Sequence, residues 1–410
     1  MERQLERCCG LDVHKGTVAA CVRVSGRTGK AEQHVQTFGT TVGDLLVLRD
    51  WLAAHGVTHV AMESTGVYWK PVLYALESDF ICLLVNAAHI KQVPGRKTDV
   101  KDCVWIAQLL EHGLLRGSFV PPAPIRDLRD LTRYRKALIH DRTRVANRLH
   151  KALEEAGMKL AAVASDILGV SGRAMLAALV QGTTDPAVLA DLARGRLRGK
   201  LPALRQALAS RFRPHHAFVI GQQLLAHLDY LEEAITTLST EIERVMAPWA
   251  EPLRRLDTIP GINQRTAEVI LAEVGPDMSV FPSARHLASW AALCPGHHES
   301  GGKHKSGKTR KGNRWLRTAL IEAAAGASRA KHSALQARFR RVLRQRGPKK
   351  AVVAVAHALL RMVYHVLADG TVYREAGADY YDRHHRQRVT RRALQTLERQ
   401  GYRVTLEPAA

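Results

Sequence analysis

The fold of this chain is decided near its start, by the sequence CGLDV at residues 9–13 and the sequence VAACVRV at residues 18–24. Both stretches are short and apolar, which is typical of buried strands. Residues 34–38 (HVQTF) follow a glycine-containing turn and are predicted to pair with the second strand as a hairpin. The sequence therefore predicts a three-stranded meander at the N-terminal end.

Beyond this meander, predicted helices alternate with predicted strands. A meander followed by such alternation indicates an α/β domain. The order of the elements resembles the RNase H-like fold of RuvC-type nucleases. The further strands are predicted over residues 57–62 and 80–85, and the helices over residues 41–55, 68–78 and 98–111.

Four acidic residues in this region form the first candidate site. Asp12 lies inside the first apolar run, Glu63 ends another, and Asp99 and Asp102 are spaced to share one helix face. Four gathered carboxylates would repel one another without a cation, and hard oxygen ligands suit Mg²⁺ or Mn²⁺. The alternative is that they are ordinary surface acids, which is weakest for Asp12 because an acid inside a strand is costly to bury alone.

The overall charge indicates a polyanionic partner. Lys and Arg number 61 against 38 Asp and Glu among the 410 residues, so the formal net charge is +23. Contacts from such residues to phosphates give salt-dependent affinity. The charge alone does not choose between DNA, RNA and an acidic membrane surface, although its spread over the chain is unlike a juxtamembrane cluster.

The cysteines indicate a reducing compartment, and the hydropathy argues against a membrane span. Six cysteines occur without a C-x-x-C pair or zinc-finger spacing, and most lie in apolar runs, so buried free thiols are expected. The N-terminus has mixed charge and no apolar signal core, and no stretch of about 18 apolar residues is apparent. We expect a cytoplasmic protein without a membrane span.

The middle of the chain is predicted to be helical. Residues 121–124 (PPAP) mark a boundary. Residues 125–157 and 216–245 are two long amphipathic segments, which predict a helical hairpin or a coiled coil. The intervening residues 158–215 are helical by propensity, and the sequence assigns them no role.

A Pro-Gly turn begins the C-terminal part. The sequence IPGI at residues 259–262, set between short helices, resembles a helix-hairpin-helix, which offers backbone N–H groups to a phosphate. Further helices are predicted at about 283–292, 313–330 and 349–367, and a basic, aromatic tail follows Gly370.

The loop at residues 294–314 is the second candidate site because it combines serines, glycines and cations. Ser300 could attack a phosphodiester if a base or a metal activated it, and Ser306 is a rival serine. Composition alone favours the alternative of a basic DNA-contacting loop without a covalent role. His297 and His298 are candidates for an acid or base. The candidate nucleic-acid contacts are Lys97, Gly261, Lys303, Lys305, Lys308, Arg310, Lys311, Asn313 and Arg314.

Several motifs in this order carry a family resemblance. They are GLDVHK at 10–15, MESTGVYW at 62–69, KTDVKD at 97–102, IPGI at 259–262, PG followed by SGGK at 295–303, and KGNRWLR at 311–317. With them the chain resembles the DEDD-type transposases of the insertion sequence 110 family, which are bridge-RNA-guided serine recombinases. The resemblance covers roughly residues 8–120 and 250–368.

The resemblance implies a role for each candidate residue. Asp12, Glu63, Asp99 and Asp102 match the family's metal-binding acids, and Ser300 matches its nucleophile, which becomes joined to a DNA end. A composite site between subunits of a tetramer is implied, as is a structured bridge RNA that pairs with donor and target DNA. The long middle insertion and the basic tail depart from the family pattern.

The resemblance also implies the domain organisation. The expected domains are a RuvC-like domain at 1–120, a helical coiled-coil linker with an insertion at 121–250, a serine transposase domain with a helix-hairpin-helix at 251–370, and a basic tail at 371–410. We expect a homo-oligomer, from dimer to tetramer, in the bacterial cytoplasm and at the nucleoid when active.

Three functions remain open. The first is a transposase that cuts and rejoins DNA through a serine–phosphate linkage. The second is a RuvC-like nuclease that hydrolyses DNA with metal-activated water, and the third is a non-catalytic nucleic-acid-binding protein. The Ser300 loop favours the first over the second, and the four acids favour either enzyme over the third.

Overall fold

A computed structural model describes residues 4–25, 31–63, 66–86, 102–296, 299–304, 307–310 and 312–405. The chain divides into two units, Met1–Val120 and Pro121–Ala410. The first is an α/β unit built on one sheet and the second is mostly helical, as the sequence predicted.

The sheet of the first unit has the strand order β3-β2-β1-β4-β5. Strands β1, β2 and β3 form an antiparallel meander, whereas β4 pairs parallel to β1 and β5 pairs parallel to β4. The five predicted strands are confirmed with shifts of a few residues at their ends. They are β1 Arg7–Val13, β2 Thr17–Ser25, β3 Ala31–Gly39, β4 His59–Glu63 and β5 Ile81–Val85.

Three described helices belong to this unit: α1 Val42–Ala54, α2 Trp69–Leu76 and α3 Asp102–Glu111. Thr41 begins α1 with a capping box, because its hydroxyl accepts from the Asp44 N–H while Asp44 accepts from the Thr41 N–H. Leu45, Leu48 and Leu52 of α1 are buried in a core shared with β1, β2 and β4. The predicted start of α3 at Thr98 lies outside the described residues.

The cysteines are free, as the sequence predicted, and four of them are fully buried in this unit: Cys8, Cys9, Cys21 and Cys103. Burial raises the pKa of the Cys8 and Cys21 thiols to about 12, since the thiolate would lose its hydration. These thiols therefore serve as small apolar side chains at neutral pH.

Two long helices, separated in sequence by the insertion, pack against each other in the second unit. The first, α4, spans Ala123–Glu155 and the helix α10 that packs against it spans Ala226–Met246. The insertion between them forms short elements: α5 Leu160–Val163, α6 Val170–Val180, α7 Pro186–Asp191, a 3₁₀ turn Gly195–Lys200, α8 Leu201–Leu208, α9 Pro214–Phe218 and a π-helical turn Val219–Leu225.

The insertion packs on the two long helices. Met175 of α6 and Leu204 of α8 are fully buried in the same apolar cluster as Leu149 of α4 and Leu228 of α10. The insertion to which the sequence assigned no role therefore completes the core at this part of the helical pair.

The C-terminal helices form a second packed group. They are α11 Ala250–Asp257, α12 Gln264–Val274, α13 Ala284–Trp290, α14 Arg314–Ala327, α15 Ala334–Arg346, α16 Pro348–Ala368 and α17 Tyr380–Arg399. A hairpin of two short strands, β6 Glu299–Ser300 and β7 Lys303–His304, lies between α13 and α14. The predicted basic tail contains helix α17.

Helix α16 departs from the expectation that no stretch is apolar enough to cross a membrane. By length and composition it is the one described helix that could do so. Its residues Val355, Leu359 and Val363 are fully buried, and it packs against α14, α15 and α13. Its hydropathy is therefore accounted for by its place at the centre of the helical group.

Candidate functional site

Two of the four candidate acids lie side by side in the sheet. The parallel pairing of β1 with β4 sets Leu11 opposite Met62, so the next residues, Asp12 and Glu63, are neighbours on adjacent strands. Adjacent strands lie about 4.8 Å apart, and partners in register point to the same face. The register alone thus brings these two carboxylates together at the carboxyl ends of the two strands.

Helix α3 covers the face to which they point. The Sγ of Cys8 lies 3.6 Å from the Ala107 carbonyl oxygen, and an added Cβ on Gly10 would overlap the Cys103 carbonyl and the Ala107 nitrogen. Because alternate residues of a strand share one face, Asp12 points to the same side as Cys8 and Gly10.

The same contacts give the direction of α3 along β1. From Cys8 to Gly10 they move from Ala107 towards Cys103, so Asp12 lies towards the helix N-terminus, which begins at Asp102. Three of the four predicted acids therefore share one end of the α/β unit, and Asp99 lies outside the described residues.

This acidic end is partly open to solvent. The Asp12 side chain is 26% exposed, and its Oδ2 lies 3.2 Å from Nε2 of His14. Glu63 is half-buried and Asp102 is exposed. Carboxylate oxygens from two strand ends and a helix start are the hard ligands that Mg²⁺ or Mn²⁺ requires. Within the described ranges, however, no three metal-ligating side chains are gathered closely enough to hold an ion by themselves.

The second candidate residue, Ser300, lies at the tip of the hairpin. Ser300 pairs with Lys303, and the turn between them consists of Gly301 and Gly302, with φ values of 58° and 73°. Positive φ at both central residues is what a type I′ hairpin turn requires. Beyond its chain neighbours, an added Cβ on either glycine would meet no atom of the described residues within 4 Å, so the turn is open on this side. The sequence predicts a loop at residues 294–314, and the hairpin within it is not apparent from the sequence.

The two ends of the segment carrying the hairpin are held together. The Gly296 N–H donates to the Lys308 carbonyl at 3.2 Å, and Arg310 Nη2 donates to Ser289 Oγ at 3.2 Å. Gly312 packs closely on Ala292, where a Cβ would overlap it. The hairpin therefore projects from a closed base.

Asn313 connects this base to the helical core. Its Oδ1 accepts from the N–H groups of Trp315 and Leu316 and so caps α14, while its Nδ2 donates to Oε2 of Glu273 at 2.6 Å. The amide oxygen and the amide nitrogen of Asn313, a predicted nucleic-acid contact, therefore both form hydrogen bonds within the protein.

Glu273 also belongs to this region, although it was not among the residues predicted from the sequence. Its carboxylate is fully buried and accepts from Nε and Nη2 of Arg133 on α4, each at 2.7 Å, with Nε of Arg129 at 3.5 Å from Oε2. An acid within the apolar run 269–274 was the signal that could have found it. Glu273 links α4, α12 and the start of α14.

The other candidate contacts differ in their placement. Lys303, Lys308, Arg310 and Arg314 are exposed. Gly261 has a φ of 87°, and an added Cβ would overlap the Ala323 carbonyl, so this glycine is required by close packing on α14. The residues of the two candidate sites that lie outside the described ranges are Lys97, Asp99, His297, His298, Lys305, Ser306 and Lys311, and Ser300 is described through its backbone.

Comparison with known families matches both ends of the chain. Residues 9–158 match the DEDD transposase family of IS110 elements, described as "Transposase", and residues 253–340 match the "Transposase IS116/IS110/IS902 family". The chain belongs to the IS110 family of DEDD-type transposases. It is therefore a DNA transposase, and the expected family is confirmed.

Individual relatives agree with the family. A probable family 20 transposase of Pseudomonas aeruginosa is 28% identical over 324 residues, covering 77% of this chain and 85% of the relative. The transposase for insertion sequence element IS1111A of Coxiella burnetii is 26% identical over 296 residues, covering 71% and 72%. A pilin gene-inverting protein of Moraxella bovis is 34% identical over 148 residues, covering 34% and 45%. These similarities connect the family with DNA recombination as well as transposition.

Proposed function

We propose that this transposase cuts and rejoins DNA through a covalent bond between Ser300 and a DNA phosphate. The observation that carries the proposal is the place of Ser300, at the tip of a hairpin with an open Gly-Gly turn and a closed base. A nucleophile on a loop must reach a phosphodiester while its own backbone is held in place.

The proposed chemistry exchanges one phosphate ester for another. Ser300 Oγ loses its proton and attacks phosphorus, and the bond from phosphorus to one deoxyribose oxygen breaks as the serine–phosphate bond forms. The released oxygen takes up a proton and leaves as a hydroxyl. Rejoining is the reverse reaction with the hydroxyl of another strand, so the bond energy is retained without an external source.

Asp12, Glu63, Asp99 and Asp102 form the second part of the proposal. We assign them to a Mg²⁺ (or Mn²⁺) site, and an ion bound there would neutralise charge on the phosphate oxygens. The shared face of Asp12 and Glu63, with the start of α3 at Asp102 at the same end of the unit, supports the assignment. The imidazole of His14 beside Asp12 would help to orient that carboxylate.

The proposal extends to fold and domains. The strand order and mixed pairing of the sheet support a RuvC-like, RNase H-like domain at 1–120. The packed pair α4 and α10 supports a coiled-coil linker at 121–250, and the turn at Gly261 between α11 and α12 supports a helix-hairpin-helix within a serine transposase domain at 251–370.

We propose that DNA recognition and assembly occur as the family resemblance implies. A structured bridge RNA would supply sequence specificity by pairing, and a homo-oligomer, from dimer to tetramer, would hold the DNA ends. The exposed cations Lys303, Lys308, Arg310 and Arg314 support contacts to nucleic-acid phosphates at the hairpin and its base.

The test uses purified protein with element-end DNA, the element's RNA and Mg²⁺, followed by a denaturing gel. We expect a protein–DNA adduct that is absent in Ser300→Ala and retained in the matched variant Ser306→Ala. Cleavage without an adduct that survives Ser300→Ala but not Asp12→Ala would overturn the proposal in favour of a hydrolytic nuclease.

A further inference from the structure

A cleft lies between α4, α12 and α14, and Arg314 is its one lining residue with a role proposed above. Its volume is about 240 Å³. Ile139, Val269 and Ala319 contribute apolar wall, and the ring of Trp315 forms part of the lining. An apolar wall with an aromatic ring suits a planar organic group better than a bare phosphate.

The lining of this cleft is strongly basic. Five Lys and Arg side chains line it, against two carboxylates. Three of these cations are already paired: Arg133 with Glu273, Lys136 with Glu322 at 2.8 Å, and Arg135 with the buried Glu268, which lies outside the lining. Arg265 and Arg314 remain as the excess positive charge, which favours an anionic ligand on this concave surface.

Two of these cations are available at the surface. Arg265 and Arg314 are both exposed, and within the described part of the chain neither forms an ion pair. The Arg314 guanidinium instead lies 5.0 Å from the centre of the Trp315 ring, with Arg133 at 5.8 Å. An exposed arginine held only by a cation–π contact can be replaced on the ring by another π-system.

Size limits what can enter. Drug-sized ligands occupy pockets of about 300–1,000 Å³, so this smaller cleft suits a single ring system. A double helix cannot offer a base to this cleft, since its stacked bases expose only their edges in the grooves. The apolar wall would take the base, and the cations at the mouth would take the phosphate.

We infer that this cleft binds one unpaired nucleotide of a DNA or RNA strand, with the base stacked on Trp315 and its phosphate held by Arg265 and Arg314. The inference rests on the proposed nucleic-acid contacts of the C-terminal unit and specifies one of them. A site for an unpaired base would distinguish opened or single-stranded nucleic acid from intact duplex.

The test measures binding of the full chain to labelled oligonucleotides of about 12 nucleotides, within the usual range of single-strand site sizes. Single-stranded DNA, single-stranded RNA of the same sequence and the DNA duplex are compared by fluorescence anisotropy in EDTA. We expect Trp315→Leu to weaken single-strand binding about ten-fold and duplex binding less than two-fold, in keeping with the loss of one stacked base. The tighter of the DNA and RNA complexes identifies the source of the nucleotide.

Exposed arginines provide variants that do not endanger folding. Arg265→Gln and Arg314→Gln should each weaken single-strand binding several-fold more than Arg346→Gln, which removes the same charge at the exposed end of α15. A 2-aminopurine in the strand should be quenched by the wild type and not by Trp315→Leu. Equal losses for all three arginine variants, or equal losses for duplex and single strand, would overturn the inference.

The result of this binding test is independent of the result of the adduct test for the proposed function. The binding test measures a complex without requiring any strand to be cut, so its failure leaves the Ser300 linkage standing. Absence of a Ser300 adduct likewise leaves nucleotide binding in the cleft standing.

Discussion

Gly10 allows helix α3, which begins at Asp102, to pack closely on the strand that carries Asp12. Helix α3 lies so close to β1 at this point that any Cβ would overlap the backbone at Cys103 and Ala107. We predict that Gly10→Ala lowers the free energy of unfolding of the α/β unit by about 3 kcal/mol, because α3 must move away from the strand. Chemical denaturation followed by circular dichroism measures this change.

The matched control is Gly16→Ala, where an added Cβ meets no atom of the described part of the chain within 4 Å beyond its neighbours in sequence. We expect it to leave the free energy of unfolding nearly unchanged. Equal effects of the two substitutions would contradict the close packing of α3 on β1.

Glu273 is expected to contribute to the stability of the second unit in the same way. Glu273→Gln would leave the buried side of Arg133 without its carboxylate and remove an acceptor from Asn313. We predict a loss of about 3 kcal/mol in the free energy of unfolding, within the range for breaking a buried ion pair. Glu243→Gln, an exposed acid on α10, is the control and should change it by less than about 0.5 kcal/mol.

Asp12 and Glu273 differ in how far their roles can be predicted from the sequence. Both are acids within apolar runs, but only Asp12 was predicted to be a site residue. The partner of Glu273, Arg133, lies 140 residues earlier in the chain. Such a pairing depends on how helices pack, and no local pattern contains it.

At the scale of elements, the hairpin that carries Ser300 depends on its two glycines. A β-branched residue in the left-handed region costs roughly 1–2 kcal/mol, whereas asparagine tolerates it. We predict that Gly301→Val lowers the yield of the protein–DNA adduct about ten-fold, while Gly301→Asn retains most of it. The melting temperature should stay the same in both, since a Cβ added at Gly301 meets no atom of the described residues within 4 Å beyond its chain neighbours. A parallel loss of melting temperature would show that Gly301 is needed for folding instead.

Elements with a clear hydrophobic period were predictable from the sequence. The five strands, α1 with its Thr41 cap, and the long helices α4 and α10 were all found in this way. The hairpin was missed because strands of two residues carry no period, and its Gly-Gly turn is flanked by polar residues. The packing of the insertion on α4 and α10 was not predictable because it depends on contacts between distant segments.

At the scale of the whole molecule, stability should depend on alkaline pH through the sheet thiols. Burial raises the pKa of Cys8, Cys21 and Cys82 from 9.0 to about 12. The folded unit therefore keeps these protons in a range where the unfolded chain loses them. Their contribution is complete below pH 9 and declines as the pH rises towards 12, by up to about 1.4 kcal/mol per pH unit for each thiol.

Melting temperatures measured at intervals from about pH 8 to about pH 11 test this dependence. The wild type should lose stability above pH 9, and Cys21→Ala should lose it less steeply. An identical slope in the two proteins would show that Cys21 does not contribute to the pH dependence.

The family of the chain and the broad class of its partner were predictable from the sequence. The charge of +23 indicated a polyanionic partner, and the ordered motifs indicated the family to which the chain belongs. The cleft at Trp315 was not predictable, since its walls come from three helices far apart in the sequence.

The central claim is that Ser300 itself becomes joined to DNA, and peptide mass mapping of the adduct tests it most directly. Trypsin cuts after Arg285, Lys303, Lys305 and Lys308, so Ser300 falls on the peptide 286–303 and Ser306 on the peptide 306–308. After nuclease trimming of the DNA, we predict a nucleotide mass on peptide 286–303, placed at Ser300 and not at Ser289 by fragmentation. A nucleotide on peptide 306–308, or cut DNA with no modified peptide, would contradict the account.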